Sequence, residues 1–389
     1  KVIIVLPIVR TDFKFRDIYS SLISSFIKNI HSVEEFENYI ADYTKKDFNV
    51  YFPKLRFGML GAFEVLFHNK IIGVPTYTCS VVPHSVALSK NNIKFFDCNE
   101  NNLTTEVFDK TTDSYIATPW YGSPLNTELK HLDNSFADFS HVNLLNCEDL
   151  DNHNFLAYFY TFGSGKPVSS IGGSIVSTND KSFFNEIKNY RNSKYGLEIK
   201  NVYIEELLFS LAGALISKLK LESLKIRFDE LGMLNFLRES TDEIFLGKTK
   251  NRLSNFQAQM VASRIKDYDQ NNKLAASFWS KTLKDYPIDI LNSSNWTNSH
   301  MNLRSIHRNS IKRVLSNAGV QVYNGSGYLN HKLEPYQMSN ENKYFPNANR
   351  NHKELFQVPI NFSTKSFEKL QMKEKIISAN LDKLFSSLN

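Results

Sequence analysis

The amino-acid sequence predicts an α/β protein: a large domain on a mostly parallel sheet, followed by a smaller C-terminal α+β domain. Three observations carry this. Short apolar runs recur at IKFFDCN (93–99), SYIATP (114–119) and FLAYFYTFG (155–163), with helical stretches between such runs. Strand–helix alternation at this spacing builds parallel sheets. Turn residues then punctuate the tail, around Asn324–Gly327 and Pro346–Asn349.

The elements follow in order. Residues 14–47 read as helical and polar-amphipathic. LGAFEVLFHN (60–69) reads as a helix, KIIGVPTYT (70–78) as a short strand that turns at Pro75, and SVVPHSVALSKN (80–91) as the next helix. SSIGGSIVSTND (169–180) is a strand broken by glycines and closed by a turn. Residues 181–250 read as mainly helical. Their longest apolar piece, 204–224, reads as a buried or interface helix, with membrane-surface contact beside Lys218 and Lys220 as the lesser reading. One long helix is expected from Ser254 through residue 284. The expected organisation is a helical segment (1–48), a large domain (49–253), a linking helix (254–285) and a small C-terminal domain (286–389).

A chain of 389 residues suggests two domains, or one large domain with an appendage, and 42% hydrophobic with 22% charged residues is the composition of a soluble globular protein. The net charge of +6 comes without any run of five basic residues, so no nucleic-acid arm is expected. Cys79, Cys98 and Cys147 form no C-x-x-C pair, which argues against a disulfide framework or a zinc site and for a reducing cytoplasm. The apolar start KVIIVLPIVR is too short for a signal-peptide core, and no run approaches 18 apolar residues, so stable membrane insertion is not expected.

The chemistry centres on TFGSGKPVSSIGG (161–173), where Lys166 follows a strand and a Gly-Ser-Gly turn. Small residues let a bulky planar ligand approach the backbone, and the Thr161 hydroxyl is a phosphate-bonding candidate. The segment is not a nucleotide-triphosphate loop: Pro167 follows the lysine, and the earlier glycine is missing. Upstream, Asp138 and His141 follow the apolar pair Phe136–Ala137. A carboxylate at the end of a buried strand is costly without a positive partner, and a protonated pyridine nitrogen is one such partner. Capping of a helix is the plainer role for Asp138.

These segments resemble, in order, the motifs of the DegT-type family of pyridoxal-phosphate (PLP) sugar aminotransferases. Asp138-Phe139-Ser140-His141 resembles its D-x-A-[HQ] motif, and Thr161 through Lys166 with Gly172-Gly173 resembles S-F-x-x-x-K…G-G. Val74 through Thr78 is similar to V-x-P-x-[YF]-T, YIATPWYGSPLN to the h-x-x-G-x-P loop, RLSNFQAQM (252–260) to R-[LM]-[ST]-[DN]-x-Q-A, and FPNANRNHKELFQVPI (345–360) to the C-terminal F-P-x-A stretch. The resemblance covers about residues 50–360.

The resemblance implies a type I PLP-dependent aminotransferase fold with a seven-stranded-type sheet, and a homodimer with shared sites. Lys166 would carry the cofactor covalently and shuttle a proton, Asp138 would pair with the pyridine nitrogen, His141 would lie near the phenolic oxygen, and Thr161 would meet the phosphate. Gly58-Met59 would stand at the phosphate turn near the first helix, where the family has a hydroxyl. Cys79 aligns where the family often has an aromatic ring over the cofactor, with Tyr77 the nearby aromatic that could compensate. Lys250 and Asn251 would reach the partner's cofactor phosphate, in the same segment as Arg252 and Gln257. Tyr77, Tyr328 and Arg304 are the substrate-binding candidates. Arg304, Arg308, Lys312 and Arg313 read either as contacts for nucleotide phosphates or as the solvated face of a helix. Some relatives that dehydrate sugars carry histidine for the lysine, so Lys166 implies amino transfer, from an amino acid such as glutamate to a keto sugar carried on a nucleotide. The competing readings are a non-sugar or free-sugar substrate, and a non-catalytic binding or scaffold protein of the same fold.

Overall fold

The computed structural model describes residues 6, 13–27, 32–101, 103–105, 111–120, 125, 134–142, 144, 154–163, 165–195, 200–219, 253–266, 271–291, 300–325, 327–336, 343–360 and 364–388. Helices α1 (Phe15–Ile27) and α2 (Ser32–Thr44) precede strand β1 (Phe48–Phe52). Helix α3 (Leu55–Leu66), strands β2 (Ile71–Pro75) and β3 (Tyr77–Thr78), helix α4 (Val81–Leu88) and strands β4 (Asn92–Phe96), β5 (Ser114–Ala117), β6 (Phe136–Asp138), β7 (Ala157–Thr161) and β8 (Ser174–Thr178) follow. Then come helices α5 (Lys181–Tyr195) and α6 (Ile204–Lys218).

The large sheet has seven strands in the order β1-β8-β7-β6-β5-β2-β4. Neighbours from β4 through β7 pair in parallel, whereas β8 runs antiparallel to both β7 and β1. Strands β5, β6 and β8 are buried at every residue, as expected of a sheet covered on both faces. One face packs against α3, α4 and α5 through Phe63, Val82, Val86 and Ile187. The other packs against Phe36 and Ile40 of α2 and against Ala258, Val261 and Ile265 of helix α7 (Asn255–Lys266). The N-terminal helical stretch is therefore a cover for the sheet.

The expected long helix from Ser254 appears as α7 and helix α8 (Asn271–Leu283), and the residues between lie outside those described. Beyond them, strands β9 (Asp289–Ile290), β10 (His300–Arg304), β11 (Tyr323–Asn324) and β13 (Leu355–Pro359) form an antiparallel sheet of order β11-β13-β10-β9. Strand β12 (Tyr328–Leu329) instead pairs with β3. Helices α9 (Arg308–Asn317), α10 (Pro346–Glu354), α11 (Thr364–Gln371) and α12 (Glu374–Ser386) complete the described chain. Trp279 of α8 is buried in the core of the antiparallel sheet, and its indole N–H donates to the Pro359 carbonyl at 2.9 Å. Helix α8 is thus part of this core.

A buried ion pair ties α2 to the sheet. Glu37 accepts from the Tyr51 backbone N–H at 2.8 Å and from Arg191 of α5, and both side chains are about 5% exposed or less. Burial pushes the Glu37 carboxyl up, and Arg191 pulls it back. Breaking a buried pair leaves an uncompensated charge. Arg191→Ala is expected to cost about 3–5 kcal/mol in urea unfolding, and adding Glu37→Gln should recover part of it. A loss below about 1 kcal/mol would show that solvent reaches the carboxylate.

Candidate active site

The sheet's handedness of pairing brings the chemistry together. The C-terminal ends of β1, β5, β6 and β7 lie at one edge, and the antiparallel β8 begins there. In open α/β sheets this edge is where ligands bind. A cavity of about 310 Å³ opens at it. Its lining draws Pro53, Lys54, Arg56 and Met59 from the β1–α3 junction, Cys79 after β3, and Trp120 after β5. Asp138, Ser140 and His141 come from the end of β6, Thr161 and Lys166 from the end of β7, and Gly172 and Gly173 from the start of β8.

Lys166 Nζ lies 3.0 Å from His141 Nε2. Burial lowers the Lys166 ammonium from its ordinary range, while Cys79 and Asp138 act the other way. Burial also holds His141 well below its ordinary range, helped by Lys166, which favours the uncharged imidazole. Asp138 is pushed up by burial, against hydrogen bonds from Ser140 and the charge of Lys166. Ser140 gives Asp138 Oδ1 both its hydroxyl and its backbone N–H, the latter at 3.0 Å. The site thus combines an amine and an imidazole both shifted toward their neutral forms with a buried carboxylate that would gain from a cationic partner.

The Gly172–Gly173 turn closes one wall. Gly173 has φ +91°, and a Cβ there would lie 2.5 Å from Tyr51 Oη; at Gly172, with φ +129°, it would lie 2.7 Å from Gln257 Nε2. Tyr51 Oη donates to Gln257 Oε1 at 2.6 Å. Gln257 therefore supports this chain's own cavity wall. The Thr161 hydroxyl donates to the Gly173 carbonyl at 3.3 Å.

The structure brings Lys166, Asp138, His141, Thr161, Met59 and Cys79 to this cavity and leaves others elsewhere. Gly58 faces the sheet: a Cβ would lie 2.7 Å from Val176 Cγ2, so its smallness serves helix–sheet packing and not a phosphate turn. Tyr77 is buried beneath the turn before β12, where a Cβ at Gly325 or Gly327 would lie 2.6 Å from its side chain. Tyr328 is exposed and pairs in register with Thr78. Arg304 is committed to structure: its guanidinium donates to Asp289 Oδ2 at 3.0 Å and to the Glu100 carbonyl at 2.6 Å. On α9, Lys312 donates to Asn324 Oδ1 at 2.7 Å and Arg308 to the His352 carbonyl at 2.8 Å. Lys250, Asn251 and Arg252 lie outside the described residues.

Sequence reasoning missed Lys54, Arg56 and Trp120. A usable signal existed for the first two. Helix α3 opens with Lys54 at its N-cap and Arg56 in its first turn, with no capping side chain and no acid. Helix N-termini favour acceptors and negative charge. Two cations there fit an end that meets an anion.

No protein-family model and no curated protein sequence matches the chain. Solved structures do. The chain is similar to the Helicobacter pylori PseC aminotransferase of pseudoaminic acid biosynthesis, at 13% identity and TM-score 0.70, covering 96% of this chain and 99% of that one. It is similar to Bacillus subtilis NtdA with bound cofactor PMP, at 13% identity and TM-score 0.69, covering 97% and 86%. It is also similar to the E. coli GDP-4-keto-6-deoxy-D-mannose-3-dehydratase with bound hydrated PLP, at 13% identity and TM-score 0.65, covering 95% and 99%. The fold is therefore the type I fold that the sequence motifs implied, with the expected mostly parallel sheet.

The glycine wall is testable. Gly173→Ala combines a positive φ with a contact on Tyr51, and is expected to cost about 1–3 kcal/mol in thermal or urea unfolding. Gly173→Ala with Tyr51→Phe should recover only part, because the ring carbons and the backbone strain remain.

Proposed function

We propose that the chain is a PLP-dependent aminotransferase that moves an amino group from an amino-acid donor such as glutamate to a keto sugar, carried on a nucleotide. One observation carries the reading: in a fold shared with PLP enzymes, Lys166 shares a cavity with buried Asp138 and lies 3.0 Å from His141. A cavity of about 310 Å³ falls within the range of small-molecule sites. The donor set also fits. Asp138 is a buried carboxylate suited to a pyridinium N–H, Lys166 an amine suited to an aldehyde, and His141 a neutral imidazole suited to a phenolic oxygen. Lys54, Arg56 and the N-terminal amides of α3 suit a phosphate, with the Thr161 hydroxyl at the same cavity.

When bound, PLP supplies an electron sink for the carbanion at the donor's α-carbon. The protein's own part follows from the geometry. Lys166 is the residue that would hold the cofactor, and its amine would take a proton from one carbon of the substrate and return it to another. Asp138 would hold a proton on the pyridine nitrogen, because burial disfavours the lone carboxylate anion and a cationic partner would offset that cost.

A cytoplasmic location agrees with free thiols at Cys79 and Cys98. Among the described residues, no helix is long and apolar enough to cross a membrane. A homodimer with shared sites belongs to the same reading. Exposed apolar side chains on α1 (Tyr19, Ile27) and α6 (Ile204, Leu208) support it, being surface that a partner copy would cover.

The function is tested by supplying keto-sugar nucleotides with glutamate and following 2-oxoglutarate release. Turnover is expected for the parent, none for Lys166→Ala, and a fall of several orders of magnitude for Asp138→Asn with folding kept. An Asp138→Asn variant near parental activity would return that residue to a structural role. For the shared site, light scattering should report a dimer, and Lys250→Ala with Asn251→Ala should weaken PLP about tenfold or more. A monomer that binds PLP tightly would overturn the sharing.

A further inference from the structure

We propose that Trp120 is the aromatic wall of the cofactor cavity: it contacts the pyridine ring of PLP and fixes the imidazole of His141, filling the part left open by the thiol at Cys79. The inference rests on the reading that the cavity takes PLP. A planar heteroaromatic ligand gains most from an aromatic neighbour. Cys79 lines the cavity with a thiol, which packs but offers no ring. Tyr77 is turned toward Gly325 and Gly327, with its ring away from this cavity. Trp120 is 2% exposed and lines the cavity with Cys79, Asp138, His141 and Lys166.

The indole does a second thing. Its ring centroid lies 4.6 Å from that of His141, the two rings tilted by 53°. The same imidazole faces the Lys166 amine at 3.0 Å through Nε2. Trp120, His141 and Lys166 therefore form one contact chain, in which the indole sets the angle at which the imidazole meets the amine. Trp120 reaches this position from the end of β5, through Thr118 and Pro119. It is thus a positioning residue carried by a strand that holds none of the charged groups of the site.

Fluorescence separates this role from simple packing. The chain has three tryptophans. Trp279 is buried in the core of the antiparallel sheet, and Trp296 lies outside the described residues. The full chain, stripped of cofactor, is titrated with PLP while tryptophan emission and Lys166-linked visible absorbance are followed. In the parent, emission should fall as PLP binds. Trp120→Phe should keep PLP affinity within about threefold, since a ring remains, yet lose most of the PLP-dependent quenching. Trp120→Leu should lose about tenfold in affinity. Parental quenching in Trp120→Phe together with parental affinity in Trp120→Leu would overturn the inference. Should Trp120→Leu fail to fold by circular dichroism, the quenching of Trp120→Phe decides alone: retained quenching overturns the inference and lost quenching upholds it. A parent that neither binds PLP nor forms the Lys166 adduct would overturn the functional reading itself, an outcome distinct from normal PLP binding without any effect of Trp120.

Discussion

The site depends on one constraint: the buried carboxylate of Asp138 and the half-buried amine of Lys166 share one cavity, where each loses much of the hydration that would stabilise its charge. Burial drives both toward their neutral forms. In the proposed reading the amine serves as nucleophile and proton carrier, and the carboxylate gains from a cationic partner. A ligand with an aldehyde and a protonatable ring nitrogen answers both needs at once. The neutral His141 beside Lys166 follows from the same burial.

The fold makes this possible by directing strand ends. Parallel pairing puts Asp138 and Thr161 on adjacent strand termini, and the reversal of β8 brings the Gly172–Gly173 turn to the same edge. That turn needs space and positive φ, so Tyr51 and Gln257 pack where side chains at these positions would stand. Gln257, from the helix beneath the opposite face of the sheet, thereby contributes to the wall without facing the ligand. The small domain joins through local contacts: β12 pairs with β3, and Asp97 caps α10 by accepting from the backbone N–H groups of Asn347 and Ala348.

Much of the site was legible because its charged groups sit in short local motifs at strand ends. Lys166 follows the apolar run 155–163, Asp138 and His141 follow the apolar pair Phe136–Ala137, and the ordered motif resemblance pointed to all three. What was not legible depends on distant partners. Gly58 looks like a turn residue, but its neighbours are Val176 and Phe52 across the sheet. Arg304 looks like an anion ligand until its partner Asp289 arrives from an adjacent strand. Trp120 carries no charge pattern, and only the placement of β5 beside β6 brings it to His141. Lys54 and Arg56 were readable in principle, as two cations at a helix start that would be unfavourable without an anion.

The central claim is that Lys166 is the cofactor-bearing amine. The most direct measurement is to incubate the protein with PLP, reduce with borohydride, digest, and map the added mass by tandem mass spectrometry. The account predicts one stoichiometric pyridoxyl group, on Lys166, with the visible absorbance lost on reduction. Label spread over surface lysines, or none on Lys166, would contradict it.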